Sequence, residues 1–217
     1  MKYEEFQSAA MAFMAEANDH GQEWKWVPNH PRPLQNVGAD DRGYLALEEV
    51  YREPLEIDST ENRNELDDED SCTFIDPSVI KSETAQPNMY RYHVVYVEAY
   101  QCPVLFLQGK SIDGRLLDTE YIWRDCCGSM NHEQSWLTDS CLPTPEEHPV
   151  TGEPFHFVHP CRSKDFMDAI MQAFLPSVQE PCTQSNLRYF KLWLSVYGQA
   201  VGLRLPLALH SSNPHPT

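Results

Sequence analysis

Two strand-like runs separated by only a few residues place the tightest constraint on how this chain can fold. The runs are 89–100 (MYRYHVVYVEAY) and 103–111 (PVLFLQGKS), both rich in β-branched and aromatic residues. Alternation in the first run puts a row of side chains on one face: Tyr90, Tyr92, Val94, Tyr96 and Tyr100. Because so little chain separates the two runs, we expect them to pair as an antiparallel hairpin through a turn at Tyr100–Cys102.

The remaining periodic segments complete an α+β layout, in which a series of antiparallel strands is backed by helices. Residues 2–18 have apolar residues at helical spacing and are followed by Gly21, a common helix terminator. Further helices are expected from Asp118 or Thr119 to Trp123, from Ser163 to Phe174, and over residues 184–197 before Gly198. The other expected strands are residues 24–27, 43–52, 135–139 and 155–158, with 146–154 forming a loop.

An acidic segment interrupts this layout at residues 53–83. It contains eleven Asp and Glu residues against Arg63 and Lys81, which gives it a local net charge of −9. Such a composition buries too little apolar surface to offset chain entropy, so we expect a disordered insertion. It is either a solvated insertion or a docking loop for a basic partner. The rest of the 217 residues fits one domain over residues 1–210, followed by a loose tail at 210–217.

The charge of the whole chain excludes some classes of partner. A formal net charge of −17 leaves no basic stripe that could neutralise phosphates, so we expect no nucleic-acid binding and no attraction to anionic lipid. No apolar stretch approaches the ~20 residues that a transmembrane helix needs. The first residues lack the basic and apolar regions of a signal peptide. These features predict a reduced, soluble, cytoplasmic protein.

The seven cysteines do not have the spacing of a metal or redox site. No CxxC pair occurs, so neither a zinc site nor a thioredoxin-like motif has its usual signature. A cluster could be forced only from residues at irregular spacing: Cys126, Cys127, His132, Cys141 and His148. We therefore expect no metal and no small-molecule cofactor.

Cys161 differs from the other cysteines in its setting. It follows the predicted strand 155–158 and His159-Pro160, and it precedes a helix that Ser163 can cap. A helix N-terminus and the neighbouring Arg162 and Lys164 favour thiolate over thiol. Cys161 is therefore either a packed core thiol or a presented nucleophile. A papain-like protease would need a downstream histidine in ordered sequence, and a phosphatase a glycine-rich cradle, so a thioester carrier fits the surroundings best.

Four sequence blocks, in this order, resemble the autophagy E2-like conjugating enzymes. The blocks are YHVVYVEAYQCPVLFL (92–107), DGRLL (113–117), EHPVTGEPFHFVHPC (147–161) and WLSVYGQAVGLRLPL (193–207), preceded by WKW (24–26). The resemblance covers roughly residues 20–210, except for the acidic insertion. It implies an E2-like core, a curled antiparallel sheet flanked by helices.

The resemblance also implies a pathway. Cys161 would accept the ubiquitin-like autophagy protein 12 from the E1-like autophagy protein 7, and the cargo would pass to a lysine of autophagy protein 5. A sister branch of the family conjugates a ubiquitin-like protein to lipid, which is one alternative. A non-catalytic binding module that keeps the E2 fold is the other.

Ordinary ubiquitin E2 enzymes carry an Asn after His-Pro that is thought to support the oxyanion, and here cysteine stands directly after His-Pro. The substitutes suggested by the sequence for supporting or positioning the oxyanion are His159, Pro160, Tyr96 and Tyr100. The alternative is that these tyrosines only pack the sheet and the turn. Trp136, in an expected hairpin of 135–139 with 155–158, is the candidate anchor for the acceptor protein or else a core residue.

Overall fold

The computed structural model of the protein describes residues 1–29, 42–53, 86–127, 142–160, 167, 170 and 182–210. The helices are α1 (Tyr3–Asp19), α2 (Thr119–Cys127) and α3 (Cys182–Ala200), followed by a short 3₁₀ helix at Leu207–His210. The strands are β1 (Trp24–Pro28), β2 (Gly43–Arg52), β3 (Asn88–Val97), β4 (Cys102–Lys110), β5 (Pro143–Glu147) and β6 (Pro154–Val158). The prediction of an α+β fold is confirmed.

The strands form one antiparallel sheet in the order β1-β2-β3-β4-β6-β5. The expected central hairpin is present: β3 and β4 pair from Met89 opposite Lys110 to Val97 opposite Cys102. In β2 the register shifts between Leu47 and Val50, so that Glu48 and Glu49 together lie opposite Arg91. A bulge of this kind redirects side chains, and Glu49 accordingly has a φ of 58°.

Helices α1 and α3 cover one face of the sheet. The central residues of this core are fully buried and come from both helices and the inner strands: Phe6, Phe13, Leu45, Tyr92, Leu107 and Phe190. Phe13 packs edge-on against both Trp24 and Phe190, with ring centroids 5.5 and 5.4 Å apart. The helical periodicity of the sequence therefore correctly identified the faces that pack on the sheet.

The end of α3 differs from the prediction, which placed it at Gly198. The helix continues to Ala200, because the backbone amides of Leu203 and Gly202 donate to the carbonyls of Gly198 and Gln199. This pattern is a Schellman cap, and Gly202 supplies the left-handed residue with a φ of 71°. Gly198 instead allows a close approach, since a Cβ there would lie 3.2 Å from Leu203 Cδ2.

Strand β5 was not predicted, and residues 146–154 are not entirely a loop. Pro143–Glu147 pairs along the whole of β6, from Pro143 opposite Val158 to Glu147 opposite Pro154, and only 148–153 connects the two strands. Nothing in the sequence indicated this strand, because Pro143 and Pro145 are unfavourable in most strands. An edge strand tolerates them because a proline cannot donate to a ladder but can face outward.

Several expectations fall on residues outside the described ranges. These are the acidic insertion from residue 54 onward, the strand 135–139, most of the helix after Ser163, and the tail after residue 210. Within the described ranges, no helix is long and apolar enough to cross a membrane.

Candidate active site at the end of strand β6

Strand β6 leads into His159, Pro160 and Cys161. Its two edges are occupied, by β4 through Phe106 opposite Phe157 and by β5 along its full length. Pro160 is buried, so the chain is held in the protein up to the residue that precedes the cysteine. Cys161 itself lies outside the described residues. The described part of the chain therefore fixes the position of Pro160, the residue before Cys161.

Tyr100 and His159 are brought together at this end of the sheet. The imidazole of His159 packs against the ring of Tyr100 at 5.7 Å and against Phe157 at 5.6 Å between centroids. Tyr100 lies in the turn between β3 and β4 and exposes 48% of its surface. Two of the candidate residues for oxyanion support thus lie beside the segment that contains the cysteine.

Tyr96 is placed differently. Its hydroxyl donates to the carbonyl of Met1 at 2.9 Å, and its ring packs on Tyr3 and Phe6 of α1. Burial and the nearby Glu98 raise its pKa, so the hydroxyl keeps its proton. In the described structure this tyrosine ties the first residues of the chain to β3.

The hairpin that contains β6 is formed by other residues than the sequence predicted, and it does not include Trp136. The partner of β6 is β5, not residues 135–139, and β4 occupies the other edge of β6. The indole of Trp123 in α2 donates to the carbonyl of Pro143 at 2.5 Å, which fastens this hairpin to the helix. Trp136 lies outside the described residues.

The structure describes the side chains of two cysteines, Cys102 and Cys126, and not that of Cys161. Cys102 is partly buried at the start of β4, where burial raises the pKa of its thiol. Cys126 is buried in the core of the helical face. Burial thus sets both thiols apart from a nucleophile, whereas the sequence places Arg162 and Lys164 beside Cys161.

A buried polar cluster on the face of the sheet opposite α1 and α3 was missed by sequence reasoning. His93 Nδ1 lies 3.1 Å from His148 Nε2, and His93 Nε2 lies 2.9 Å from a carboxylate oxygen of Glu48. The side chains of His93 and His148 are 0% and 1% exposed. His148 Nδ1 accepts hydrogen bonds from the backbone amides of Val150 and Thr151. The only signal in the sequence was a histidine inside the apolar run of β3.

The hydrogen bonds of this cluster assign the tautomers of both imidazoles. Because His148 Nδ1 accepts from the backbone, its proton is on Nε2, which donates to His93 Nδ1. The proton of His93 is then on Nε2, which donates to Glu48. Every nitrogen has a partner while both rings are neutral, so a further proton would set two donors against each other. We name His148, His93 and Glu48 the histidine relay.

Burial also favours the neutral rings. It lowers the pKa of His93, and burial, followed by repulsion from His93 in its protonated form and from Arg91, lowers the pKa of His148 to about 3. Burial opposes the charge of Glu48, but hydrogen bonds from His93 and Arg91 outweigh it and lower the pKa of Glu48 to about 2. The relay therefore consists of two neutral imidazoles ending on a carboxylate.

We expect the relay to make the fold sensitive to acid. In the unfolded chain both histidines bind protons below a pKa near 6.5, whereas the folded rings resist them, so unfolding becomes easier as pH falls below that value. His148, whose pKa falls to about 3, should alone remove about 2 kcal/mol from the free energy of unfolding between pH 8 and pH 5, and His93 acts in the same direction. Urea unfolding of the native protein and of His148→Leu at the two pH values measures this. The variant should be less stable at pH 8 but should lose less on acidification, and an equal loss in both would contradict the assignment.

The described residues contain no group of His, Cys, Asp and Glu side chains that could hold a metal ion. His148, which belonged to the irregular cluster in the sequence, has both ring nitrogens occupied in the relay. His132 and Cys141 of that cluster lie outside the described ranges.

Comparison with known proteins gives a consistent picture. The family described as "Autophagocytosis associated protein, active-site domain" matches residues 5–208. A protein of Arabidopsis thaliana named "Ubiquitin-like-conjugating enzyme ATG10" is 31% identical over 223 residues, 95% of this chain and 93% of the relative. The Homo sapiens protein of the same name is 28% identical over 224 residues, 94% of this chain and 89% of the relative. A Dictyostelium discoideum protein of that name is 29% identical over 131 residues, 58% of this chain and 55% of the relative.

Proposed function

Because this chain belongs to the family of autophagocytosis-associated proteins with the active-site domain, we propose that it is an E2-like enzyme that carries the ubiquitin-like autophagy protein 12 as a thioester on Cys161. In this proposal autophagy protein 7 loads the cysteine, and the cargo passes to a lysine of autophagy protein 5. The E2-type transferase class agrees with the names of all three relatives. The partners are those that the sequence resemblance implied.

One observation supports Cys161 as the carrier above the other cysteines. It continues directly from a strand that is paired on both edges and from a buried proline, beside the aromatic contact of Tyr100 with His159. A nucleophile needs such a fixed approach, because misplacement by about 1 Å can cost on the order of 100-fold in rate. Cys102 is partly buried and Cys126 is buried.

The proposed reaction has two steps. The Cys161 thiolate attacks the thioester carbonyl on the E1-like enzyme, a new carbon–sulfur bond forms, and the E1 thiolate leaves. The acceptor lysine amine then attacks the same carbonyl, the amide bond forms, the amine loses a proton, and the Cys161 thiolate leaves. Both steps pass through an oxyanion, for which the proposed supports are Tyr100 and His159, with Pro160 restraining the approach. Tyr96 is less suited, because its hydroxyl already donates to Met1.

Two alternatives remain distinct in their outcomes. A binding module with the E2 fold would form no adduct on Cys161, and an enzyme of the lipid-conjugating branch would load Cys161 but would not transfer to a protein lysine. The test is incubation with autophagy protein 7, ATP and autophagy protein 12, followed by a non-reducing gel and then addition of autophagy protein 5. A reductant-sensitive adduct that disappears on addition of the acceptor supports the proposal. Trp136 stays our proposed anchor for that acceptor.

The acidic insertion is expected to be dispensable for folding. Arg52 at the end of β2 lies opposite Asn88 at the start of β3, so the two ends of the insertion leave neighbouring strands. Deletion of residues 58–83 leaves enough chain for a hairpin loop, and loop length costs only about 0.6 kcal/mol per doubling. We expect the free energy of unfolding, measured in urea, to change by less than about 1 kcal/mol.

The same deletion separates the two interpretations of the insertion. A docking loop predicts that loading by the E1-like enzyme becomes slower and loses its salt dependence. A solvated insertion predicts unchanged loading at low salt. Substantial unfolding of the deletion variant would contradict our placement of the insertion outside the folded core.

A further inference from the structure

The connection between β5 and β6 folds back over the face of the sheet opposite α1 and α3. Residues 148–153 close on themselves, because the His148 amide donates to the Glu153 carbonyl and the Gly152 amide donates to the His148 carbonyl. The ring of His148 packs among Tyr44, Phe106 and Phe155, at centroid distances of 5.0, 5.3 and 4.9 Å. One imidazole thus reaches from the loop into the middle of the sheet.

The hydrogen bonds of His148 join two parts of the molecule that the backbone ladder does not join. Its Nδ1 organises the loop through the amides of Val150 and Thr151. Its Nε2 donates to Nδ1 of His93 in β3. Nε2 of His93 in turn donates to the carboxylate of Glu48 at the bulge of β2. The loop before β6 is therefore tied, through side chains alone, to two strands beyond β4.

This tie matters because the hairpin of β5 and β6 has little backbone anchorage to the rest of the sheet. Between β4 and β6 the register is defined only by Phe106 opposite Phe157 and Leu107 opposite His156. The other attachments of β6 and its loop to the rest of the sheet and α2 are side-chain contacts. Among the described residues they include the Gln108 amide donating to the Pro154 carbonyl, the Arg91–Glu153 ion pair, the hydrogen bond between Thr119 and His156, and the histidine relay.

We propose that His148 is a positioning residue for the reaction at Cys161: by locking the loop 148–153 to His93, it fixes β6 and hence the approach of His159, Pro160 and Cys161. This inference rests on the proposed function, because Cys161 must be the reacting residue. His148 touches no reacting atom and acts through the strand that follows it. The bulge at Glu48 and Glu49 contributes to the same positioning, since it lets Glu48 accept hydrogen bonds from both His93 and Arg91.

The hydrogen bonds of the histidine relay persist at neutral pH. The charged and titratable groups facing the two imidazoles are Glu48 and Tyr44 of β2, Arg91 of β3 and Glu153 of the loop. Arg91 pairs with both Glu48 and Glu153 and offsets part of their negative charge, and burial of the two imidazoles keeps them neutral. We therefore expect the pH profile of the reaction above pH 6 to be that of the thiol and the amine, with no step from His148.

Two substitutions of His148 distinguish its hydrogen bonds to the loop 148–153 from its hydrogen bond to His93. In His148→Asn the short side chain still accepts from the loop amides, but it cannot reach His93. In His148→Gln the longer side chain can donate to His93 at the position of Nε2. His20→Asn, at an exposed histidine that ends α1, is the matched control. The protein is loaded on Cys161, and discharge to free lysine is followed as a single turnover, well below the melting temperature of every variant.

We expect His148→Asn to discharge about tenfold more slowly than the native protein, His148→Gln to recover to within about threefold, and His20→Asn to be unchanged. The concentration of E1-like enzyme that half-saturates loading should be the same in all four, since docking is not altered. Hydrogen exchange should report faster exchange in residues 154–158 of His148→Asn. Native discharge rates in His148→Asn, or equal losses in the Asn and Gln variants, would overturn the positioning role and leave only a structural one.

Failure of the proposed function would be seen separately, as a native protein that forms no thioester. The inference is then decided by the rate at which iodoacetamide alkylates Cys161, measured by peptide mass spectrometry. A rate in His148→Asn that differs from the native one by about threefold or more, with the Gln variant close to native, supports the lock. Equal alkylation rates in all variants overturn it.

Discussion

Replacing Cys161 with alanine is expected to abolish the reductant-sensitive adduct with autophagy protein 12 completely. No partial activity should remain, because the substitution removes the sulfur that forms the thioester. Cys102 cannot replace it, since burial raises the pKa of that thiol, and Cys126 is buried at 1% exposure. The measurement is a gel without reductant after incubation with autophagy protein 7 and ATP, repeated with reductant.

Cys161→Ser and Cys102→Ser are the matched variants. The serine at position 161 should form an adduct slowly and then keep it in the presence of reductant, because the product is an oxyester and the alkoxide is a poorer leaving group. The serine at position 102 should leave the thioester intact. A reductant-sensitive adduct that survives in Cys161→Ala would place the carrier on another cysteine.

The sequence predicted the sheet well where burial follows alternation. In β3 the residues Tyr90, Tyr92 and Val94 are all fully buried on one face, as their spacing indicated. Tyr96 continues that face against α1, whereas Tyr100 leaves it because the chain turns after Val97. The alternating pattern thus located the strand and the face that it buries. It did not predict the orientation of Tyr100, which depends on the geometry of the turn after Val97.

Elements held together by distant residues could not be predicted in this way. Strand β5 has no apolar alternation, because its outer edge and most of its side chains are exposed. His93 and His148 are 55 residues apart, and each alone is compatible with a surface or a core position. The bulge at Glu48 and Glu49 has no signature that a single sequence reveals. Of the candidate site, the sequence named Tyr100 and His159, whose rings lie in contact, but not the cluster that holds the preceding loop.

A second buried charge cluster joins α2 to the sheet. Arg52 lies with its guanidinium 4.5 Å from the centre of the Tyr90 ring and 2.8 Å from a carboxylate oxygen of Asp125. The Tyr90 hydroxyl donates to the same carboxylate oxygen at 2.6 Å. The side chains of Arg52 and Asp125 are 18% and 7% exposed, so the pair is largely removed from water. Asp125 is therefore the only described carboxylate that balances this guanidinium.

Asp125→Ala is expected to lower the free energy of unfolding by about 3 kcal/mol or more, because it leaves a desolvated guanidinium without its counter-charge. Asp125→Asn should lose less, since its side-chain oxygen still accepts from Tyr90. Urea unfolding at neutral pH measures both. Glu120→Ala is the control: its ion pair with Arg124 is exposed, so its loss should cost less than about 0.5 kcal/mol.

The decisive measurement is the double variant Arg52→Met with Asp125→Ala. If the cost of Asp125→Ala comes from a stranded charge, removing that charge must recover part of the lost stability, since buried ion pairs replaced by apolar side chains are often neutral. The methionine also keeps the aliphatic packing against Tyr90. If the two losses simply add, Arg52 and Asp125 act independently, and the destabilisation comes from a cavity at α2 instead of an unpaired charge.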